Sequence, residues 1–257
     1  MKLLNRGLLI LVLALFTCNI SFAQEEKKED APIMFSVHTD NVKFAMMPQY
    51  EKLAKQLKEN CEKHNVQGVD WTAISIEDGR YVFVSQIENM AELDKNIFAE
   101  LFEKMGKEAA GAMFDKMDEC YDSHSNSITH YIPALSYHPE GYSSEGKNHR
   151  EYHFLYYAPK DGKAMGEAME GVKKLFEAKG VKNGYSVYHS GFGSEESYFM
   201  VSIAGTSDMS IAQGGMENDK LLGDEKDATF FNVIKLTTKY DQVEGTIRPD
   251  LSYYPKK

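Results

Sequence analysis

This sequence contains few cysteines and little tryptophan, and its basic residues are outnumbered by acidic ones. Its 257 residues include three cysteines and one tryptophan, and the formal net charge is −10 at pH 7. A chain this acidic is repelled by phosphate backbones and by anionic lipid, so we predict no nucleic-acid partner. Cys61 and Cys120 each lack a CxxC partner, which argues against a redox dithiol, a zinc ribbon and a disulfide framework.

Catalytic signature motifs are missing as well. Gly191-Phe192-Gly193 lacks the remainder of a dinucleotide-binding fingerprint, and the sequence contains no P-loop, no GxSxG and no HExxH. Four histidines, His124, His130, His138 and His149, follow one another at spacings of six, eight and eleven residues. Those spacings match no compact ligand motif, so we interpret the segment as a polar linker and predict no metal and no cofactor.

The one long apolar run lies at the N-terminus. Lys2 and Arg6 precede the run Leu8–Phe16, and small residues lead up to Ala23. A basic start, a short apolar stretch and a small-residue cleavage site are typical of a secretory signal peptide, which we assign to residues 1–23. A retained membrane helix is the alternative, although the run is too short for a stable anchor.

Removal of that signal would leave an exported protein, periplasmic or secreted, without a transmembrane anchor. The charged stretch that follows predicts a flexible mature N-terminus over residues 24–33. Attachment through Cys18 as a lipoprotein is a second possibility, because Cys18 follows Leu15-Phe16-Thr17.

An internal repeat is the most informative feature of the remaining chain. Residues 132–139 agree with residues 248–255 at five of eight positions, at an offset of 116. Upstream, His38–Val66 aligns without gaps on His153–Val181, and in both segments the apolar residues follow the stripe of a helix with one buried face. The sequence therefore predicts two similar halves in tandem.

A second match continues the repeat. Tyr81–Ser85 aligns on Tyr198–Ser202, with a change of two residues in the offset near Gly191. Each half then reads strand, helix, strand, strand, helix, strand, with helix breaks at Gly and a hairpin turn at Asp78-Gly79. The predicted breaks in the second helix of each half are Gly106, Gly111, Gly214-Gly215 and Gly223. The predicted domains are a first repeat over 34–139, a linker over 140–150 and a second repeat over 151–257.

Several predicted strands are apolar on both faces. Tyr81 and Phe83 alternate with Val82 and Val84, so neither face is suited to water. One face can pack beneath helices, and the other must meet a second sheet, which the other half supplies.

These features resemble the dimeric α+β barrel superfamily over residues 34–255. The resemblance rests on the hairpin from Trp71 to Ile87, the helix start Asn89-Met90-Ala91-Glu92-Leu93 and the two Leu-Ser-Tyr-x-Pro tails. It implies an α+β fold in which two tandem ferredoxin-like βαββαβ repeats pack their antiparallel sheets into a pseudo-dimeric barrel. The superfamily includes antibiotic-biosynthesis-type monooxygenases, EthD-like and NIPSNAP-like proteins and haem peroxidases, so the fold by itself does not name a reaction.

Histidines are the candidate catalytic residues. His38 and His153 are equivalent in the repeat and can approach one central cavity, where a pair would suit proton transfer or metal ligation. Alternatively, His38 lies at a strand edge and His153 is satisfied in the core. His189 is a third candidate.

Aromatic residues are the candidate ligand-binding residues. Trp71 in the first half, and Tyr185 and Tyr188 on the corresponding strand of the second half, can line a chamber for an apolar molecule. Core filling is the alternative role for these rings.

We therefore predict that the protein binds a small apolar or aromatic ligand in the barrel interior. The alternative is an enzyme resembling cofactor-independent monooxygenases or isomerases, in which His153 or His189 acts with nearby tyrosines as acid and base. A further alternative is a periplasmic protein-interaction module. The sequence leaves the oligomeric state open.

Overall fold

Each half of the chain runs strand, helix, strand, strand, helix, strand over residues 31–256, the part that this computed structural model describes. The second helical segment of each half is divided in two. The elements of the first half are β1 (Ile33–Val42), α1 (Met47–His64), β2 (Thr72–Ile76), β3 (Arg80–Ile87), α2 (Ala99–Met105), α3 (Lys107–Asp118) and β4 (Tyr121–Tyr131). Those of the second half are β5 (His149–Tyr157), α4 (Gly162–Lys179), β6 (Ser186–Ser190), β7 (Tyr198–Gly205), α5 (Asp208–Leu222), α6 (Glu225–Ile234) and β8 (Thr237–Ile247).

The predicted signal peptide, Cys18 and most of the predicted N-terminal segment lie outside the described residues. Within residues 31–256, none of the helices has both the length and the apolar character that a bilayer crossing requires.

Helix boundaries follow local sequence signals. Pro48 lies in the first turn of α1, and Asn65 ends that helix in the left-handed conformation at φ 45°. The apolar stripe of α1 is buried, as predicted. Gly106 and Gly223 separate the paired helices at positive φ, as predicted, whereas Gly111 and Gly214-Gly215 lie inside α3 and α5. The breaks predicted at Gly111 and at Gly214-Gly215 are wrong. A glycine destabilises a helix only modestly, and tertiary packing outweighs that loss of stability.

The eight strands close into one antiparallel barrel. Each half forms a four-stranded sheet, in the order β4-β1-β3-β2 and β8-β5-β7-β6. The two sheets join edge to edge where β2 pairs with β8 and β4 pairs with β6. The predicted fold class is therefore confirmed. Closure pairs the exposed strand edges of both halves.

The strand register establishes which positions are equivalent. His38 lies between Phe83 and Asn126, and His153 lies between Val201 and Gln242. The predicted equivalence of His38 and His153 therefore agrees with the register.

The predicted match of Tyr81 with Tyr198 is wrong by one residue. Asp40 pairs with Tyr81, and its equivalent Leu155 pairs with Phe199, so the offset in this hairpin is 118. A shift of one residue would turn every side chain of the strand to the opposite face. The strand register, and not the identity of the aligned residues, therefore establishes which positions are equivalent.

The two Leu-Ser-Tyr tails make the same contacts in each half. Ser136 Oγ accepts a hydrogen bond from the Val187 amide at 2.8 Å, and Ser252 Oγ accepts one from the Ala73 amide at 2.9 Å. Each tail therefore packs on the sheet of the other half, and the repeated motif fastens the two halves together.

The tyrosines that follow those serines extend the parallel. Tyr137 pairs with Tyr185, and Tyr253 pairs with Trp71. Trp71 also donates its Nε1–H to the Leu251 carbonyl at 2.7 Å. Trp71 is thus a packed core residue of the first half.

The strands have one face under the helices and one face inside the barrel. Tyr81 and Phe83 belong to the core beneath α1, whereas alternate residues point into the barrel. There, the ring of Tyr188 contacts those of Phe35 and Tyr131 at centroid distances of 6.5 and 5.4 Å. Aromatic side chains from both halves therefore fill space in the barrel interior.

Both described cysteines are buried free thiols, at 0% exposure. Cys61 packs on the apolar stripe of α1, as predicted, and burial raises the pKa of its thiol to about 12.

The four histidines assigned to a polar linker do not lie in one. His124 and His130 belong to β4, and His149 begins β5, one residue before the end of the predicted linker. Only His138 lies in the connection, where its ring stacks on Tyr142. The first part of β4 is polar on both faces, so its sequence resembles a loop, and its backbone pairing with β1 makes it a strand.

Candidate active site

A cavity of about 570 Å³ lies in the second half, between the sheet and the helices that cover it. Its floor is formed by side chains of β5, β7 and β8 on the outer face of the barrel, and its roof by α4, α5 and α6. The apolar wall consists of Leu155, Met169, Val172, Phe176, Val201, Ile203, Ile211, Leu222, Phe230, Val233 and Ile234. The volume lies within the range of small-molecule sites. The cavity is thus outside the barrel, and not in the barrel interior where the sequence suggested it.

Helix α5, which covers part of the cavity, is fixed at its start and near its middle. Ser207 and Ser210 form a capping box at the start of α5. Farther along, Asn183 donates to the Gly214 carbonyl at 3.2 Å, and Asn218 donates back to the Asn183 carbonyl at 3.1 Å. These bonds fix α5 over the entrance to β6, so the cavity is built into the fold.

Tyr185 brings a polar atom to the apolar wall. The residue is 6% exposed, and its hydroxyl has no hydrogen-bond partner within residues 31–256. A buried hydroxyl without a partner is costly to the fold, and the residue that carries it lines the cavity.

A network of four polar side chains crosses the floor of the cavity. His153 Nδ1 lies 2.7 Å from the Tyr240 hydroxyl, and His153 Nε2 lies 3.3 Å from Glu151 Oε1. Gln242 donates to the same Glu151 oxygen at 2.5 Å, and the Tyr240 hydroxyl lies 3.0 Å from Gln242 Oε1. Glu151, His153 and Tyr240 all line the cavity.

The sequence builds this network by strand alternation. Glu151 and His153 are two residues apart on β5, and Tyr240 and Gln242 are two apart on β8, so each pair shares a face. Direct pairing of β5 with β8 then brings the two pairs together.

The surroundings set the protonation states. Burial lowers the pKa of His153 below its ordinary value of 6.5, against the opposing effect of the Glu151 carboxylate. Burial, and then Glu151, raise the pKa of the Tyr240 hydroxyl. The single Tyr240 proton goes to Gln242 Oε1, and rotation of the hydroxyl would direct it to His153 Nδ1, while His153 Nε2 faces Glu151. This chain of carboxylate, imidazole and phenol can move a proton to or from the cavity.

Comparison with known proteins finds similar solved structures but no similar family or curated sequence. No family model and no curated protein matches the sequence. Solved structures do match: an anthrone oxidase-like protein aligns at 11% identity over 86% of this chain and 93% of its own, with a TM-score of 0.55. A candidate monooxygenase from Lactobacillus acidophilus NCFM aligns at 9% identity over 88% of this chain and 97% of its own, with a TM-score of 0.51.

The chain has the dimeric α+β barrel fold. At these identities the likeness extends to the fold alone, so the function of this barrel must be argued from its own residues.

The barrel keeps His38 and His153 apart. In the closed ring of strands, β1 and β5 are four positions apart in either direction, so they form opposite walls. Both histidines also point outward, under the helices of their own halves: His38 bonds to Asp40, which binds Tyr50 of α1, and His153 lines the cavity. The expectation that they approach one central cavity is wrong, because equivalence in the repeat places them symmetrically and not together.

The other predicted site residues are also dispersed. His189 pairs with Tyr157, whose hydroxyl lies 2.6 Å from His189 Nε2, beneath α4 and outside the cavity lining. Tyr185 lines the cavity, Tyr188 points into the barrel and Trp71 lies in the core of the first half. The predicted grouping of Trp71, Tyr185 and Tyr188 around one ligand does not form, since they lie in different layers.

Glu151 and Tyr240 are the candidate residues that sequence reasoning missed. Glu151 and His153 are two residues apart at the start of the predicted second repeat, a spacing that places both side chains on one face of a strand. Tyr240 gave no such signal, because the start of β8 is polar and exposed.

Proposed function

We propose that this protein is an enzyme that takes up a small, mainly apolar aromatic molecule and transfers a proton to or from it. The observation that carries the proposal is the Glu151–His153–Tyr240 chain in the floor of an apolar cavity. His153 serves as the base: it accepts the Tyr240 proton at Nδ1 while Tyr240 takes a proton from the ligand, and Glu151 orients the His153 ring. This develops the acid–base alternative that the sequence suggested for His153.

The wall of the cavity defines the class of ligand. Its side chains are largely aliphatic or aromatic, and the polar groups are few and placed at the floor and rim. A planar polycyclic ketone or phenol would bury its rings among Val201, Phe176 and Phe230 and direct its oxygen to the polar groups of the floor, such as the Tyr240 hydroxyl. Loss of a proton from such a molecule gives an enolate, and the rim residues Lys147 and Lys182 supply positive charge near it.

The location in the cell follows from the N-terminal sequence. We propose that the signal peptide over residues 1–23 directs the mature chain to an exported compartment, where it acts on its ligand.

Proton exchange in deuterium oxide tests the proposed chemistry. Anthrone is a suitable probe because it is a tricyclic ketone with an acidic methylene group, and the solved relative of the same fold is described as anthrone oxidase-like. We expect the protein to accelerate deuterium incorporation at that methylene, followed by proton NMR. His153→Gln and Tyr240→Phe should each reduce the acceleration by roughly 100-fold, the usual contribution of a positioned acid or base.

Tyr254→Phe is the matched control. Tyr254 is exposed to a similar degree as Tyr240 and also bonds to a neighbouring side chain, Thr72, but it does not line the cavity. Its exchange rate should equal that of the unaltered protein. Equal rates in the His153→Gln variant and the unaltered protein would exclude the base role.

Binding without conversion is the second candidate function, and the mostly apolar lining of the cavity favours it. Val201→Phe would place a ring in the cavity and should weaken anthrone binding by about tenfold or more, measured by calorimetry. The protein would be a carrier and not an enzyme if two results are found together. The unaltered protein would bind anthrone without accelerating proton exchange, and Val201→Phe would lose the binding.

A further inference from the structure

The first half of the barrel carries a second polar cluster, at the positions equivalent to the candidate active site. The register places His124 opposite Asp40 as it places Tyr240 opposite Leu155. His124 is therefore the counterpart of Tyr240, and Asp40 is the counterpart of Leu155. The first half thus replaces a phenol and an aliphatic side chain with an imidazole and a carboxylate, next to His38.

The cluster brings three metal-ligating side chains together. The ligand atoms of His38, Asp40 and His124 all lie within 4.8 Å of one another. His38 Nε2 and Asp40 Oδ1 are 3.0 Å apart, and two ligands of a tetrahedral zinc ion are separated by roughly 3.3 Å. The rings of His38 and His124 have centroids 5.4 Å apart. Only a small movement of His124 is needed to complete three ligands around one ion.

The partners around the cluster orient it for an ion. Asn126 Oδ1 lies 2.8 Å from His38 Nδ1 and accepts the proton there, which leaves Nε2 as the ring nitrogen that an ion would take in place of its hydrogen bond to Asp40. Tyr50 donates to the second oxygen of Asp40, so Oδ1, now bonded to His38 Nε2, is the oxygen that would bind the ion. Asp40 is 3% exposed, and a bound cation compensates a buried carboxylate.

The third ligand is accessible and uncommitted. His124 is exposed, and its ring nitrogens have no hydrogen-bond partner among the residues that the structure describes. An ion held by His38, Asp40 and His124 would keep a coordination position open toward solvent.

We propose that His38, Asp40 and His124 bind a divalent transition-metal ion, of which Zn²⁺ is the best fit. Two imidazoles and one carboxylate suit zinc and its neighbours, whereas magnesium and calcium prefer oxygen ligands alone. This site lies in the first half and is separate from the cavity of the second half, so it does not depend on the proposed function. It departs from the sequence-based prediction of no metal, because His124 meets His38 and Asp40 only through strand pairing.

Metal titration of tag-free, chelator-treated protein tests the site. Calorimetry with Zn²⁺ should give one equivalent bound per chain, and Co²⁺ should give visible absorption bands from its coordination shell. His124→Gln should weaken binding by roughly tenfold or more and remove those bands. Because His124 is exposed, this variant is expected to fold normally, which circular dichroism checks.

Two further variants make the test specific. His38→Gln should lower the affinity as His124→Gln does, whereas His64→Gln, at the end of α1, should leave both the affinity and the spectrum unchanged. Failure of the unaltered protein to bind Zn²⁺ or Co²⁺ overturns the proposal, and so does an unchanged Co²⁺ spectrum in folded His124→Gln.

Discussion

The hydroxyl group of Tyr253 provides a quantitative test of how the tail of one half is fastened to the other. It donates to the Val66 carbonyl at 2.8 Å and lies 3.2 Å from the Cys61 carbonyl, in a region where Tyr253 is 1% exposed. Tyr253→Phe keeps the ring and its packing on Trp71 and removes only the hydroxyl. The variant therefore isolates the hydrogen bond.

The expected cost follows from burial. A hydrogen bond contributes about 1 kcal/mol net, and an acceptor left buried without its donor costs about 1–3 kcal/mol. Val66 is fully buried, so water cannot replace the lost donor. We expect Tyr253→Phe to lower the free energy of unfolding by about 1–3 kcal/mol.

The second half supplies an internal replicate. Tyr137 donates to the carbonyl of the buried Val181 at 2.8 Å, so Tyr137→Phe should cost a similar amount. Tyr254→Phe is the control: that residue is exposed, and its change should stay within about 0.5 kcal/mol.

Urea unfolding, followed by circular dichroism and by the fluorescence of Trp71, measures all three variants. Trp71 is 4% exposed and its ring centroid lies 5.2 Å from that of Tyr253, so its emission reports the tail directly. If Tyr253→Phe and Tyr254→Phe lose the same small amount, ring packing and not the buried hydrogen bond holds the tail.

Two other expectations concern the entrance to β6 and the base. Gly184→Ala should lower the free energy of unfolding in urea by about 1–3 kcal/mol, because the added Cβ would overlap the Tyr137 carbonyl oxygen and lie 2.9 Å from Pro139 Cδ. Gly171→Ala lies in α4 with open space around it, so it should instead raise the free energy of unfolding by about 0.5–1 kcal/mol. Since burial depresses the pKa of His153 below its ordinary value of 6.5, its ring is mostly neutral above pH 6.5, and the exchange rate should fall as the pH drops further and the ring takes up a proton. A rate profile that already declines as the pH falls from about 8 to 7 would show that another group is the base.

Much of the fold could be predicted from the sequence because its signals are local. The buried stripe of α1 was predicted from the spacing of its apolar residues. The turn at Asp78-Gly79 and the breaks at Gly106 and Gly223 follow from backbone conformations that glycine adopts without strain. The two-faced apolar pattern of β3 correctly required a layer on each side.

The candidate site was much less predictable. His153 was named, but its partners Glu151 and Tyr240 were not, and the cavity was expected on the wrong face of the sheet. The polar starts of β4 and β8 do not have strand character, so His124 and Tyr240 were not placed beside β1 and β5. Only pairing with those strands holds them there.

The amino-acid sequence by itself determined the order of the elements, the equivalence of the two halves and the need to bury both faces of the sheet. Those properties depend on periodicity and on residues close together along the chain. Tertiary structure alone decided that His38 and His153 lie on opposite walls and that each acquires different partners from a strand more than 80 residues away. Register and ring closure set these contacts, and both arise from the hydrogen bonding of whole strands, which no short stretch of sequence encodes.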